Sequence, residues 1–375
     1  MYEQQIQEDL LFLMVYAGVA VMSLNACCYL LLRRGNAFAA DITPPLRLRR
    51  WTAAFFAAMT LSHVWYLPTF FLSSSDDVLL CNLVGGLLDT MTLIPLVIVI
   101  LLVMLQDRRR PLWSVVLMVA PLIAGMVWGV ISRSDALMPV IRVYFLLLSI
   151  GLIIYMVREV RRYGRWLRDN FADLEHKEVW QSLVVLAVIL LVSNFYVGGY
   201  WLPAYEYVSQ ASGAILICYL LWRVETLSDL SISQAMPPIV EEKPSTTENP
   251  ENLDDNSLLQ PNYDYIGVLL QEHCADTQLY LQHDLSLTQL AKSIGTNRFY
   301  LSQYFSSQGT TYNTYINDLR VNHFVRRYRD AVDAQQSITA LQLAQESGFR
   351  SYTTFSSAFK RKTGQSVRVW IKALE

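Results

Sequence analysis

The chain has 375 residues, of which 53% are hydrophobic, and its mean hydropathy is +0.28. This apolar share is high for a soluble protein and is concentrated before residue 230, which argues against an entirely soluble chain. The net charge of −2 excludes a uniformly basic protein, yet Leu285 to Glu375 carries 12 Lys and Arg against 5 Asp and Glu, a local charge of +7. A basic C-terminal region points to an anionic partner.

Seven apolar segments precede residue 225, and each has close to the roughly 20 residues that a helix needs to cross a bilayer. Helices suit such runs because they satisfy every backbone polar group within the segment. Residues 1–230 are therefore predicted to form a bundle of seven transmembrane helices in a lipid bilayer. The predicted spans are Leu10 to Leu32, Trp51 to Leu72, Leu79 to Leu105, Leu112 to Ile131, Leu137 to Val157, Val179 to Tyr200 and Tyr205 to Trp222.

Positive charge is concentrated in the first, third and fifth connecting loops, and the even-numbered loops carry almost none. The positive-inside rule then predicts that the N-terminus lies outside and the C-terminus lies in the cytoplasm. We expect a multi-pass protein of the inner (cytoplasmic) membrane. The basic residues of the odd-numbered loops are Arg33, Arg34, Arg47, Arg49, Arg50, Arg108, Arg109, Arg110, Arg158, Arg161, Arg162, Arg165, Arg168 and Lys177.

Three polar residues within the apolar runs are candidates for an intramembrane signal site, namely Asp89, Arg142 and His63. A charge at membrane depth is costly and usually pairs or faces a cavity. One hypothesis is that Asp89 and Arg142 meet across the bundle in a site that reads a ligand. The alternatives are a purely structural ion pair, an Arg142 that reaches the interface, and an interhelical hydrogen bond for His63.

A change of composition separates the apolar region from the C-terminal region. The stretch from Ala235 to Asn256 has four prolines and six acidic residues but few apolar ones. Such a composition is typical of a solvated, flexible tether. We therefore predict a flexible acidic linker over residues 231–260 and a separate domain over residues 261–375.

Two stretches of that domain, Leu285 to Phe305 and Ser337 to Trp370, repeat one scheme. Each has an apolar helical face, then a glycine (Gly295 or Gly348), then a second helix with apolar residues at helical spacing. Glycine suits the corner because it accepts a positive φ, and Ser286 is a predicted N-cap. Two tandem helix-turn-helix units are typical of DNA binding, whereas two helical hairpins that serve protein contact are the alternative.

The same residues resemble the AraC/XylS-type bacterial transcription regulators. The matching features are LAxxxG from Leu290 to Gly295, YLS with Phe305, the connecting segment Thr314 to Val321, and a second unit that contains Gly348-Phe349 and Phe359-Lys360-Arg361. The resemblance implies recognition helices near residues 297–305 and 351–362, joined by a long helix from Tyr312 to about Tyr328. It also implies a DNA-facing set, which is Arg298, Phe299, Ser302, Gln303, Tyr352, Thr353, Ser356, Ser357, Lys360 and Arg361.

These observations together predict an all-α protein with a seven-helix membrane bundle and a cytoplasmic AraC-type double helix-turn-helix domain. The predicted function is that of a membrane-bound one-component transcription regulator, which binds double-stranded promoter DNA and acts as a possible homodimer. Its signal is an unknown ligand or membrane partner. The alternative is a transporter or channel with a regulatory helical tail. No catalytic constellation or metal-ligand spacing of the five cysteines is visible, so we expect neither an enzyme nor a cofactor.

Overall fold

The computed structural model describes residues 2–33, 36–37, 42–197, 204–230, 263–336 and 338–374. The predicted linker at 231–260 lies outside the described residues. Within the described ranges the chain is all-α, which confirms the predicted fold class, and the β pairing there is limited to an isolated antiparallel bridge between Phe171 and Ser286.

The chain divides into two compact units. The N-terminal unit comprises Met1–Tyr163 and Val179–Leu230, and the C-terminal unit comprises Gly164–Glu178 and Ser231–Glu375. The division of the sequence at 230 and 260 remains a prediction. The structure also groups residues 164–178 with the C-terminal unit, whereas the predicted division placed them in the domain at residues 1–230.

Apolar helices form the N-terminal unit, and four described helices are long and apolar enough to cross a membrane, namely α1, α3, α4 and α5. A shorter apolar run, Trp180–Asn194, lies in α6. The count of seven spans therefore remains a prediction. The helices are α1 (Tyr2–Leu32), α2 (Leu46–Trp65), α3 (Ser75–Met104), α4 (Trp113–Ser132), α5 (Met138–Asn170), α6 (Trp180–Val197) and α7 (Ala204–Thr226).

Large apolar side chains cover the outer surface of this unit. Val116, Ile131 and Ile215 are 65%, 73% and 67% exposed, and they are three of many. Soluble monomers rarely carry contiguous apolar surface on this scale. The lipid tails of a bilayer would solvate it, which agrees with the membrane association that the helix lengths suggest.

Hydrogen bonds and ion pairs join neighbouring helices inside the N-terminal unit. The hydroxyl of Ser23 donates a 2.8 Å hydrogen bond to the carbonyl of Phe56, which joins α1 to α2. Arg110 and Arg108, which follow α3, form ion pairs with Glu159 of α5 at 2.7 and 2.9 Å. Buried groups of this kind need partners, because water does not reach them.

The C-terminal unit is built from short helices around one long one. A single π-helical turn, Gln271–Ala275, follows α8, and a 3₁₀ turn occupies Leu279–Leu281. The helices are α8 (Tyr263–Leu270), α9 (Leu287–Ser293), α10 (Arg298–Ser307), α11 (Tyr312–Asp333), α12 (Ala340–Glu346), α13 (Tyr352–Thr363) and α14 (Val367–Lys372).

Two apolar clusters fill this unit, one for each helix-turn-helix. Leu290 and Leu301 lie in the first cluster, and Phe355 and Phe359 lie in the second; all four side chains are fully buried. The long helix α11 contributes to both clusters, with Tyr312 and Ile316 in the first and Val321 and Phe324 in the second. It therefore holds the two helix pairs together in one unit.

Local sequence signals set the ends of these helices. Ser286 caps α9 in a reciprocal capping box with Gln289, as its position predicts. Side chains also cap α10 through Asn297 and α13 through Ser351. The two turns contain Gly295 and Gly348, which have φ values of +73° and +89° and confirm the predicted corners.

Gly348→Ala is expected to lower the free energy of unfolding of the C-terminal unit by more than about 2 kcal/mol. A left-handed backbone costs an L-residue roughly 1–2 kcal/mol, and the new Cβ would also meet the carbonyl oxygen of Leu281 at 2.8 Å. The control is Gly364→Ala, where φ is +78° but the space for a Cβ is open, so only the backbone cost applies.

The two variants are compared by urea unfolding, and the labelling of the Cys274 thiol reports the unfolding of the unit. This thiol is fully buried, and burial raises its pKa to about 12, so it reacts only after the unit opens. Equal destabilisation by both alanines would contradict the role of the Leu281 contact.

Candidate nucleic-acid interface

The first helix-turn-helix exposes one polar side of α10. Leu301 and Phe305 face the core, and Asn297 accepts hydrogen bonds from the first backbone amides of the helix, which sets where α10 begins. The side opposite the core is open to solvent. The four residues that the sequence assigns to DNA contact in this unit are all exposed, and they are Arg298, Phe299, Ser302 and Gln303.

The second helix-turn-helix repeats this arrangement in α13. Phe355 and Phe359 are fully buried and anchor one side, while Ser351 caps the helix through the amide of Thr354. Ser356 is half-buried. The other residues predicted to face DNA here are exposed, and they are Tyr352, Thr353, Ser357, Lys360 and Arg361.

The cations at the end of α13 do not all point away from the protein. Arg361 lies 3.4 Å from the carboxylate of Asp318, and Lys362 donates a 2.9 Å hydrogen bond to the carbonyl of Asp318. An exposed ion pair contributes at most about 1 kcal/mol, so a phosphate is able to compete for Arg361. Lys360 has no ion pair among the described residues, which makes it the clearer candidate for phosphate contact.

A buried arginine links the two helix-turn-helix units. Arg320 of α11 is 1% exposed, and it donates hydrogen bonds to the carbonyls of Tyr280 (2.7 Å) and Gln282 (2.8 Å). Its guanidinium also lies 5.7 Å from the ring centroid of Phe349, which belongs to the second apolar cluster. The arginine thus positions α11 against segments from both halves of the unit.

Arg320 and the asparagines Asn313 and Asn317 are not among the residues that the sequence predicts to be functional. All three are buried on α11, at 1%, 5% and 1% exposure. Their spacing of four and then three residues puts them on one helical face, which was a usable signal. Without a structure, a polar stripe of this kind is more simply interpreted as a solvated face.

The three intramembrane candidates do not form one site. Within the described residues no ion pair joins Asp89 to Arg142; Asp89 accepts a 3.2 Å hydrogen bond from the indole of Trp65, and Arg142 is exposed. His63 lies 3.1 Å from the amide oxygen of Gln210, which is an interhelical contact between α2 and α7. The structure therefore separates Arg142 from the other two candidates, whereas His63 lies close enough to Asp89 for the two side chains to interact electrostatically.

Comparison with known proteins agrees with the geometry of the C-terminal unit. Residues 290–373 match the family described as a helix-turn-helix domain, of the AraC type. No curated protein and no solved structure matches the chain significantly. The chain therefore carries an AraC-type helix-turn-helix domain at its C-terminal end, preceded by apolar helices that are consistent with a membrane domain.

Proposed function

We propose that this protein is a membrane-bound one-component transcription regulator, in which the N-terminal helices sense a signal and the C-terminal unit binds promoter DNA. The observation that carries the proposal is the AraC-type match at residues 290–373. In each helix-turn-helix of this unit the second helix, α10 or α13, exposes its polar side. The local charge of +7 supports an anionic partner.

DNA sequence is read by α10 and α13 in this proposal. An α-helix enters the major groove and reads the edges of the bases there. Gln303 suits a bidentate contact with adenine, and Arg298 suits guanine or a phosphate. The connecting helix α11 has 22 residues and is therefore about 33 Å long, close to one helical turn of DNA. A spacer of this length allows one chain to read two successive major-groove faces.

Phosphate contacts come from the end of α13. Lys360 is exposed there, and Arg361 is exposed beside it with only a weak surface pair to Asp318. Such contacts fix the register of the protein on the duplex and make affinity depend on salt, but they carry no sequence information.

The membrane part is proposed to have seven spans in the inner membrane, with the N-terminus outside and the DNA-binding unit in the cytoplasm. The four membrane-length helices and the arginine-rich odd-numbered loops support this topology. The linker at 231–260 would then act as a tether, for which a random-coil estimate gives roughly 30 Å between its ends.

The signal is proposed to be a ligand or a membrane partner that acts on the helices around His63, Asp89 or Arg142. These residues remain candidates because polar groups at membrane depth are commonly functional. Formation of a homodimer would raise the effective concentration of the second DNA-binding unit on paired sites.

Replacement of Gln303 by alanine is expected to relax the choice of DNA sequence, whereas Lys360→Ala should weaken binding to all duplexes alike. One bidentate base contact supplies roughly 1–3 kcal/mol of discrimination, and one phosphate contact contributes about 1 to the salt slope. The measurement is selection from random duplexes by the full-length protein in lipid nanodiscs, followed by affinities at several salt concentrations.

Two exposed residues of the same unit serve as matched controls. Gln336→Ala and Lys372→Ala remove the same side chains outside α10 and α13 and should leave both properties unchanged. If Gln303→Ala and Lys360→Ala lose only non-specific affinity, the assignment of the recognition surface is wrong. Wild-type protein without any sequence preference would favour the alternative of a transporter or channel with a helical tail.

Single cysteines at Ser73 and Arg109 test the topology in a variant that lacks the five native cysteines. Both positions are exposed and follow successive predicted spans. A membrane-impermeant maleimide should label Ser73→Cys in intact cells, and it should label Arg109→Cys only after the membrane is opened. Labelling of Arg109→Cys from outside would contradict the proposed orientation.

A further inference from the structure

The C-terminal unit contains a piece of chain that is distant in sequence. Residues 164–178 begin inside α5, beyond its apolar part, and their first seven residues are the end of that helix. Phe171 is 2% exposed, and Ala172 is fully buried within the first apolar cluster. We call residues 164–178 the docking segment.

Two asparagines of α11 hold the backbone of the docking segment. The carbonyl of Ala172 accepts hydrogen bonds from Asn313 at 2.6 Å and from Asn317 at 3.0 Å, and the carbonyl of Phe171 accepts one from Asn313 at 3.2 Å. Both asparagines are buried. Without the segment their amides would lose these partners, and a buried donor without a partner costs roughly 1–3 kcal/mol.

The segment also pairs with a loop, through Phe171 opposite Ser286. The amide of Ala172 lies 3.5 Å from the carbonyl of Leu285, next to the capping residue of α9. The docking segment therefore covers the start of the first helix-turn-helix as well as the side of α11.

An ionic contact extends the docking to the second helix-turn-helix. The ammonium of Lys177, whose side chain is 4% exposed, lies 3.0 Å from one carboxylate oxygen of Asp284. The other oxygen lies 2.7 Å from Arg350, which precedes the cap of α13. Burial alone would raise the pKa of Asp284, but Lys177 and Arg350 outweigh this effect, and the pKa of the carboxyl lies below its ordinary value. The carboxylate thus stays charged at neutral pH and bridges both cations.

We infer that the docking segment is an integral part of the DNA-binding unit, and that its engagement with Asn313, Asn317 and Asp284 sets the affinity for DNA. The inference rests on the proposed function and names its regulation. The chain of α5 runs without interruption into the segment, so a rearrangement of this membrane-length helix acts directly on the contacts of Ala172 with the first apolar cluster and of Lys177 with Asp284.

The main test is the double variant Asn313→Asp, Asn317→Asp in the full-length protein in nanodiscs. The new carboxylates would face the carbonyl oxygens of Phe171 and Ala172 and repel them. We expect hydrogen exchange of the segment's backbone amides to accelerate at least about tenfold, and affinity for the selected duplex to fall at least about tenfold. Asn322→Asp, at an exposed position of the same helix, is the control and should change neither.

A second pair of variants changes the segment itself and leaves the helix-turn-helix helices intact. Lys177→Glu places a carboxylate beside Asp284 and should release the segment. Arg168→Glu reverses the same charge at an exposed position of the segment and should leave it docked. Both variants have the same net charge, so any general loss of attraction for DNA is equal in the two.

The outcomes separate the inference from the proposed function. Unchanged amide exchange in Asn313→Asp, Asn317→Asp and in Lys177→Glu would overturn the inference, and so would faster exchange with unchanged DNA affinity. If the backbone amides of α13 also exchange faster in the asparagine variant, the substitutions have disturbed more than the docking segment. The Lys177→Glu variant then decides whether release of the segment lowers DNA affinity. If the wild type shows no sequence preference, the proposed function fails, and the exchange data still decide whether the segment is docked.

Discussion

The C-terminal unit depends on one buried cation, the guanidinium of Arg320. Burial lowers the pKa of this group, and nearby groups that include the carboxylate of Asp173 act in the opposite direction. Arginine keeps its proton in proteins, so the charge must be satisfied in place. The carbonyls of Tyr280 and Gln282 and the ring of Phe349 do so. The two carbonyls belong to the chain before α9, and the ring belongs to the second apolar cluster. The contacts that stabilise this one charge therefore fix how the two helix-turn-helix units are joined.

This constraint explains why α11 buries a polar face as well as an apolar one. Ile316 and Phe324 serve the two apolar clusters, while Asn313, Asn317 and Arg320 form a buried polar face on the same helix. A buried polar face is stable only when every group finds a partner. Backbone carbonyls provide those partners, and Phe171 and Ala172, which directly follow α5, contribute two of them. The C-terminal unit therefore takes two of its buried hydrogen-bond acceptors from chain that precedes residue 179.

Local signals were sufficient to predict most of the fold. Gly295, Gly348 and the cap at Ser286 marked the corners and a helix start, and the family resemblance placed α10 and α13 within about two residues of their observed bounds. The connecting helix continues to Asp333, five residues beyond the predicted Tyr328, because no breaking residue interrupts it. Such local signals did not predict which residues contact each other when they are far apart in sequence. Sequence shows that Asp89 and Asn313 are polar, but not that one contacts Trp65 and the other contacts Phe171.

The strength of the docking contacts suits a reversible element. Three hydrogen bonds from the two asparagines contribute about 1 kcal/mol each, and the partly exposed pair of Lys177 with Asp284 adds less than its geometry suggests, since solvent screens Asp284. These polar contacts total a few kcal/mol, which is comparable to the coupling energies of about 1–3 kcal/mol that allosteric proteins use, and the burial of Phe171 and Ala172 adds to them. In the proposed regulation, a change in the packing of α5 would shift the docked population, whereas the core around Arg320 would stay intact.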